Sequence, residues 1–426
     1  MKTAPSNAAE IDLTDVDLFL HGDPHEAWRT LRREAPVHWN ERSWGPGFWN
    51  ITRYEDVIQV SVDPGTFISG AGIILDNDGQ RMRREERLRE AGGMIMDPRG
   101  HMMIMTDPPR HTFMRQLVNK GFTHKSVMRM EPHIRAIVTK IIDDVCERGE
   151  CDFVLDISRK LPLEVICEMV GVPEGDWESM FELSNRVIGV DDPEYGIGSD
   201  ELTPEEMQQS AEFFQYFMSL IAERRESPKE DVLSILVHSD IDGERLADHE
   251  LFLFFLLLIV AGNETTRNAT SGGMLALIEN RDQLARLQAD PSLAVSAVEE
   301  VVRWTSPVTH FTRRATRDTE VRGVKIGEGE DVCVWYPSAN RDEHVFSDGD
   351  RFLVDRDPNP QIAFGKGEHF CLGVNLARLE LKVMLQELVR RLPDMELAGP
   401  VEKLRSNFIG GIKRMPVRFT PTAPAA

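Results

Sequence analysis

The stretch Phe364-Gly365-Lys366-Gly367-Glu368-His369-Phe370-Cys371-Leu372-Gly373 is a glycine-bent loop that presents one cysteine at the start of a long helical pattern, Val374 to Leu392. Gly367 and Gly373 permit tight turns and close backbone approach. The helix that follows turns its positive dipole end and its free N–H groups toward the sulfur, which favours the thiolate. A single thiolate held in this way can serve as an axial metal ligand. The competing reading is a buried structural cysteine beside a helix start, the usual condition of a free cysteine. That reading accounts for the cysteine, but not for an aromatic seven residues before it with glycines four before and two after.

The rest of the composition isolates Cys371 further. Five cysteines (Cys146, Cys151, Cys167, Cys333, Cys371) without a CxxC pair indicate neither a disulfide framework nor a zinc ribbon. The 426 residues are 41% hydrophobic and 28% charged, ordinary for a globular chain with a sizeable core. A net charge of −22 gives no electrostatic support to nucleic-acid binding and opposes an anionic membrane surface. Met1 to Asp17 lacks the basic and apolar regions of a secretion signal, so a cytoplasmic protein without a membrane anchor is expected. The longest apolar run, Leu251 to Gly262, falls short of the roughly 20 residues that span a bilayer and reads as a buried helix.

Helical periodicity covers Thr123 to Cys146, Pro204 to Glu226, Asp248 to Ile278 and Val295 to Trp304. Strand patterns are short: Gly47 to Thr52, then Thr319 to Val324 and Val332 to Trp335, which read as a hairpin separated by Gly327 and Gly329. The class is mainly α with minor β. No linker divides the chain, so a single domain over 18–420 is expected, with loose ends at 1–17 and 421–426. Gln80 to Glu90 reads as a solvated charged helix face. The methionines beside it (Met94, Met96, Met102, Met103, Met105) suit either core packing or an adaptable wall for an apolar ligand.

A second constellation, Ala261-Gly262-Asn263-Glu264-Thr265-Thr266, interrupts the most apolar helical pattern of the chain. Gly262 weakens a helix by about 1 kcal/mol relative to alanine. Glu264 brings a carboxyl into a buried setting, which is costly without a partner. An acid beside a hydroxyl where a glycine opens room can pass protons to a bound oxygen species. Equally, Glu264 could pair with an arginine while Thr265 bonds back to its own helix. Glu300 and Arg303 share a helix face by their i,i+3 spacing, and in isolation would be an ordinary ion pair.

In this order, the Glu264/Thr265 helix, Glu300-x-x-Arg303 and Phe364-x-x-Gly367-x-x-x-Cys371-x-Gly373 resemble the haem-thiolate monooxygenases of the cytochrome P450 family. Asp107 to Arg115 (DPPRHTFMR) is similar to that family's haem-propionate helix, so the resemblance spans nearly the whole chain. It implies the cytochrome P450 fold, with haem b between a long central helix and the Cys371 loop. It makes Cys371 the iron ligand, with Phe364 packed near the sulfur. It places His111, Arg115, Arg313 (with Arg314 adjoining) and His369 on the propionates, where cations suit carboxylates. Ala261 and Gly262 would form a groove for dioxygen, Thr265 would order hydrogen bonds and Glu264 would relay protons. Glu300 and Arg303 would join a structural network completed by Arg351 or Arg356.

The implied reaction inserts one oxygen atom of O2 into a C–H bond. Electrons would come from NAD(P)H through a ferredoxin and its reductase. Arg110, Lys120, Lys125, Lys366, Arg378 and Lys382 could form a docking patch for an acidic ferredoxin, or simply a solvated surface. The wording around Ala261–Asn268, Ser338–Asp342 and Asn359-Pro360 resembles bacterial members that oxidise methyl-branched lipids, fatty acids, terpenoids or sterol side chains. An apolar substrate would then meet Met94, Met96, Val260, Ala261, Val308, Thr309, Phe408 and Ile409, in an enzyme acting as a monomer. The alternatives are a peroxide-driven peroxygenase and a haem-based gas sensor, neither of which needs the acid–alcohol pair.

Overall fold

The computed structural model describes residues 7–42, 46–75, 97–195 and 204–425, without the side chains of residues 120, 204–207 and 210. Its axis is the helix Asp248–Glu279, which packs against Lys160–Val170, Trp177–Ile188, Ala294–Thr305 and Val374–Arg391. Leu251, Phe254, Phe255, Leu258 and Ile259 are buried and join the main core, which explains so apolar a sequence in the centre of the chain. The helix is long and apolar enough by composition to cross a membrane, yet over half of its apolar window is buried by neighbouring elements. Its start is fixed by Glu250, whose Oε2 accepts from the Ala247 N–H at 2.9 Å.

Helices expected at Pro204–Glu226, Val295–Trp304 and Val374–Leu392 form at Pro204–Glu226, Ala294–Thr305 and Val374–Arg391. The Thr123–Cys146 pattern is two helices, His124–Met128 and Glu131–Cys146. Pro132, which has no N–H to give, sits in the first turn of the second.

A five-stranded sheet orders Val37–Asn40, Phe48–Ile51, Asp331–Trp335, His310–Ala315 and Phe67–Ile68. Here the expected hairpin is corrected. Thr319–Val321 and Val324–Ile326 pair with each other around Arg322 and Gly323, both at positive φ, so the turn lies inside the segment read as one strand. Asp331–Trp335 instead lies between Phe48–Ile51 and His310–Ala315, where its side chains are buried on both faces.

The chain ends also depart from expectation. Ile11, Leu13 and Val16 are buried, the Leu13 N–H donates to Asn40 Oδ1 and Arg405 pairs with Asp17. At the other end the Thr422 N–H donates to the Cys146 carbonyl and the Ala425 N–H to Asp143 Oδ1. Burial of Ile11, Leu13 and Val16 and hydrogen bonds hold the 7–17 segment, and hydrogen bonds alone hold Thr422 and Ala425, which polar composition does not reveal. The Gln80–Glu90 segment, Met94 and Met96 lie outside the described residues.

Candidate active site

Cys371 hangs from a loop whose shape is set by glycine. Gly365 and Gly367 have φ of 75° and 72°, and the Cys371 N–H closes the loop onto the Phe364 carbonyl at 2.9 Å. A Cβ on Gly367 would stand 2.3 Å from the Ser61 carbonyl oxygen, so here both conformation and space require glycine. Gly367→Ala is therefore expected to destabilise by about 1–2 kcal/mol from the left-handed backbone alone, and by more through the clash. A lowered urea midpoint with reduced haem content would register this, and an unchanged midpoint would refute it.

Burial pushes the Cys371 thiol above its ordinary value, while the Gly373 N–H, Arg115 and Arg378 pull it down. Burial prevails, so a thiolate at this position needs a cation against it. Phe364 lies beside the loop with the Arg378 guanidinium 5.1 Å from its ring centre.

Four basic side chains gather nearby. The rings of His111 and His369 are 4.2 Å apart, and both residues feel Arg115 and Arg313. Burial followed by the neighbouring cations lowers His111 to about 4 and puts His369 well below the normal range. Arg115 and Arg313 are depressed mainly by burial. Both ring nitrogens of His111 are buried without a hydrogen-bond partner among the described residues, while His369 Nε2 meets Ser69 Oγ at 3.1 Å. Strand alternation separates the adjoining arginines: Arg313 is buried, whereas Arg314 turns outward to Asp331 at 2.8 Å. Glu368 Oε2 lies 3.8 Å from His111 Nδ1 and Asp107 acts on His111 and Arg313, yet the four bases outnumber these carboxylates, and the surplus suits a ligand bearing carboxylates.

The opposite wall is the middle of the Asp248–Glu279 helix. Its neighbours Ile259 and Asn263 are fully buried, yet Ala261 is exposed and Leu257, Val260 and Thr265 are half-exposed. These positions recur at helical spacing and form one open stripe within a core helix. An alanine exposed at the centre of a core helix is the mark of an interior space. Thr265 Oγ1 donates to the Ala261 carbonyl at 2.8 Å. Gly262 departs from the expected groove: its Cβ position points at Ile166, 2.8 Å away, so its smallness serves the approach of the Lys160–Val170 helix.

Glu264 is 1% exposed and ion-paired with Arg267. Burial raises its carboxyl to about 7, against the pull of that guanidinium. Arg267 Nη1 also donates to Asn185 Oδ1 at 2.9 Å, which ties the acid to the Trp177–Ile188 helix. Arg267 and Asn185 went unassigned in the sequence, although Arg267 stands at i+3 from Glu264.

Val260, Val308, Phe408 and Ile409 meet in one apolar cluster, joined by Ile188, Tyr195 and Leu404, which the sequence did not single out. Thr309 is corrected: it is buried and its hydroxyl bonds to the Asn407 and Phe408 carbonyls, because Val308 and Ile409 bridge the two segments beside it. The proposed basic patch is largely paired internally. Arg110 binds Glu250 and Glu244, Arg378 binds Glu299, and Lys382 lies 3.5 Å from Glu131; Lys125 and Lys366 are exposed. The Lys120 side chain lies outside the described residues.

A family model for cytochrome P450 matches residues 200–393. The chain is 39% identical to a steroid C26-monooxygenase of Mycolicibacterium smegmatis, across 97% of both proteins. It is 39% identical to a methyl-branched lipid omega-hydroxylase of Mycobacterium tuberculosis, across 97% of this chain and 95% of that one. The chain belongs to the cytochrome P450 family. A solved cytochrome P450 from Mycobacterium marinum, in complex with pseudoionone, superposes with a TM-score of 0.86 at 35% identity, across 98% of this chain and all of that one.

As a cytochrome P450 the chain is a monooxygenase, and the family implies haem, dioxygen and electrons from redox partners. The residues present fit that group. A half-buried cysteine whose thiolate needs a cation, a cradle with more bases than carboxylates and an open stripe on a core helix each suit a different part of an iron-bearing dicarboxylate.

The cytochrome P450 also contains the Glu300 network. Arg303 Nε and Nη2 each lie 2.7 Å from Glu300, and Arg356 Nε lies 3.0 Å from Glu300 Oε2. Arg351 contributes only its carbonyl, so Arg356 is the arginine that completes the network.

Proposed function

We propose that the protein hydroxylates a C–H bond of a long apolar molecule, a methyl-branched lipid, fatty acid, terpenoid or steroid. It would work as a cytoplasmic monomer, with haem b ligated by Cys371 and with electrons from NAD(P)H through a ferredoxin and its reductase. The observation that carries this reading is the open stripe at Val260, Ala261 and Thr265, whose Val260 also belongs to the apolar cluster of Val308, Phe408 and Ile409. A substrate seated against those side chains lies beside the acid–alcohol pair. The substrates named for the similar steroid and branched-lipid enzymes support the same chemical class.

When bound, haem supplies the activation of dioxygen and the oxidising power that breaks the C–H bond. This chain's residues do the rest. Cys371 would give the thiolate, His111, Arg115, Arg313 and His369 would hold the carboxylates, and Ala261 would leave room beside the group. Apolar walls keep bulk water from the reacting face. Thr265 Oγ1 can accept a hydrogen bond from a water on the open stripe while its own proton rests on the Ala261 carbonyl. Glu264 stores the proton, beside an Arg267 that divides its donors between that carboxyl and Asn185.

The relay has a pH signature. Glu264 holds a proton below about 7 and loses it above, so product formed per NAD(P)H is expected to fall as pH rises through that value. Glu264→Gln should be slow throughout and lack this fall. A variant retaining the wild-type pH profile would remove Glu264 from the relay.

The substrate class is tested by titrating the ferric enzyme with branched lipids, terpenoids and steroids. Spectral shifts should identify ligands, which are then assayed for hydroxylated product with ferredoxin, reductase and NAD(P)H. Product at the same rate from peroxide alone would favour a peroxygenase, and ligand binding without NAD(P)H consumption would favour a sensor.

A further inference from the structure

His101, His249 and Glu250 bring two imidazoles and a carboxylate together. One ligand atom from each lies within 4.8 Å of the other two. The histidines come from separate parts of the chain: His101 from the segment leading to Met103–Met105, His249 from the first turn of the Asp248–Glu279 helix. Their rings meet edge to face at 5.1 Å, and their ring nitrogens make no hydrogen bond with any described residue. Glu250 is buried and already oriented by the Ala247 N–H and by Arg110. We propose that His101, His249 and Glu250 form a binding site for a divalent transition metal of the zinc class, which pins the Asp97–Met105 segment to the start of the central helix.

The chemistry of the donors selects the ion. Two neutral imidazoles and one carboxylate are a ligand set that zinc accepts, with a fourth position left for water, whereas calcium and magnesium prefer oxygen donors. Zinc bonds of about 2.0–2.2 Å require the three ligand atoms to draw closer than they stand. That movement falls to His101, which is exposed, while Glu250 is held from behind as metal-binding carboxylates are.

Two features oppose a cation here, the positive end of the helix and the Arg110 guanidinium. Charge nearby offsets them. Arg110 also binds Glu244, Nη1 to Oε1 at 2.5 Å, so it can yield part of its hold on Glu250 without losing a carboxylate partner. Asp248 adds a further negative charge, though it is paired with Arg225. Metal and Arg110 thus compete for Glu250. That competition gives the site a signature that two packed histidines would lack.

The test is calorimetric titration of zinc chloride into tag-free, chelator-treated holoenzyme. Wild type should bind one zinc, His101→Ala and His249→Ala should each weaken it at least about tenfold, and Arg110→Gln should tighten it. Zinc should also slow hydrogen exchange of the Arg99–Met105 amides in wild type and leave it unchanged in His101→Ala. Wild type that binds no zinc, or histidine variants that bind it as wild type does, would overturn the site. Arg110→Gln that binds zinc no more tightly would overturn the competition. Glu250→Ala would remove the helix cap and the Arg110 partner together, so it cannot isolate the metal site.

Discussion

Cys371→Ser is expected to abolish hydroxylation and to remove the carbon-monoxide difference band that marks a thiolate-ligated haem. Burial of the sulfur outweighs the Gly373 N–H, Arg115 and Arg378, so the thiolate forms only when a cation faces it. A serine hydroxyl is far harder to ionise and cannot take over as an anionic ligand. Changing an outer partner of a metal ligand typically costs about 10- to 100-fold in affinity or activity, and loss of the ligand itself should exceed that. The four bases around the carboxylate cradle remain, so some haem should still be retained with an altered spectrum. That retention separates loss of ligation from failure to fold. Cys151→Ser is the control, because the Cys151 thiol is buried and pushed up to about 12. Retention of the thiolate band by Cys371→Ser would show that another group ligates the iron.

What could be read before folding depended on how local each feature is. The Cys371 loop is encoded within ten residues, and its two positive-φ glycines lie where the bend is needed. Glu300 and Arg303 are one helical turn apart, so their pairing follows from spacing alone. The arginine that joins them does not, because Arg351 and Arg356 reach the same carboxylate region and only the turn between them decides which side chain points inward.

The central helix shows the same limit at finer scale. Successive residues are about 100° apart around a helix, so Ala261 and Thr265 share the open face, while Gly262 turns toward Ile166 and Glu264 toward Arg267. The motif identifies the residues but not which neighbour each one meets. Thr309 and Arg110 illustrate the rest: their hydroxyl and charge are taken by partners roughly a hundred or more residues away in Asn407 and Glu250. Pairings at such sequence separation leave no periodic trace.

Glu300→Ala should be the most destabilising single substitution in the chain. Glu300 and Arg303 are both fully buried, and the carboxylate accepts from Arg303, Arg356, Asn359 and the Leu353 N–H. Arg303 spends its remaining donors on the Asn340, Gly349 and Arg351 carbonyls. Removing the carboxylate leaves two guanidiniums, Arg303 and Arg356, facing each other in a dry interior without a counter-charge. Breaking a buried pair from one side costs about 3–5 kcal/mol, a large share of the roughly 5–15 kcal/mol that holds a typical domain. Arg356→Ala should cost less, because Arg303 keeps its carboxylate. Arg314→Ala, which breaks an outward-facing pair with Asp331, should change stability by no more than about 1 kcal/mol. Urea midpoints and haem content of the three variants give the ranking Glu300→Ala, then Arg356→Ala, then Arg314→Ala. Equal midpoints for the first and last would mean that the network carries none of the fold's stability. The network binds the Ala294–Thr305 helix to the segment that runs through Asn359 into the Cys371 loop. Haem loss on Glu300→Ala is therefore expected even though Glu300 takes no part in the reaction.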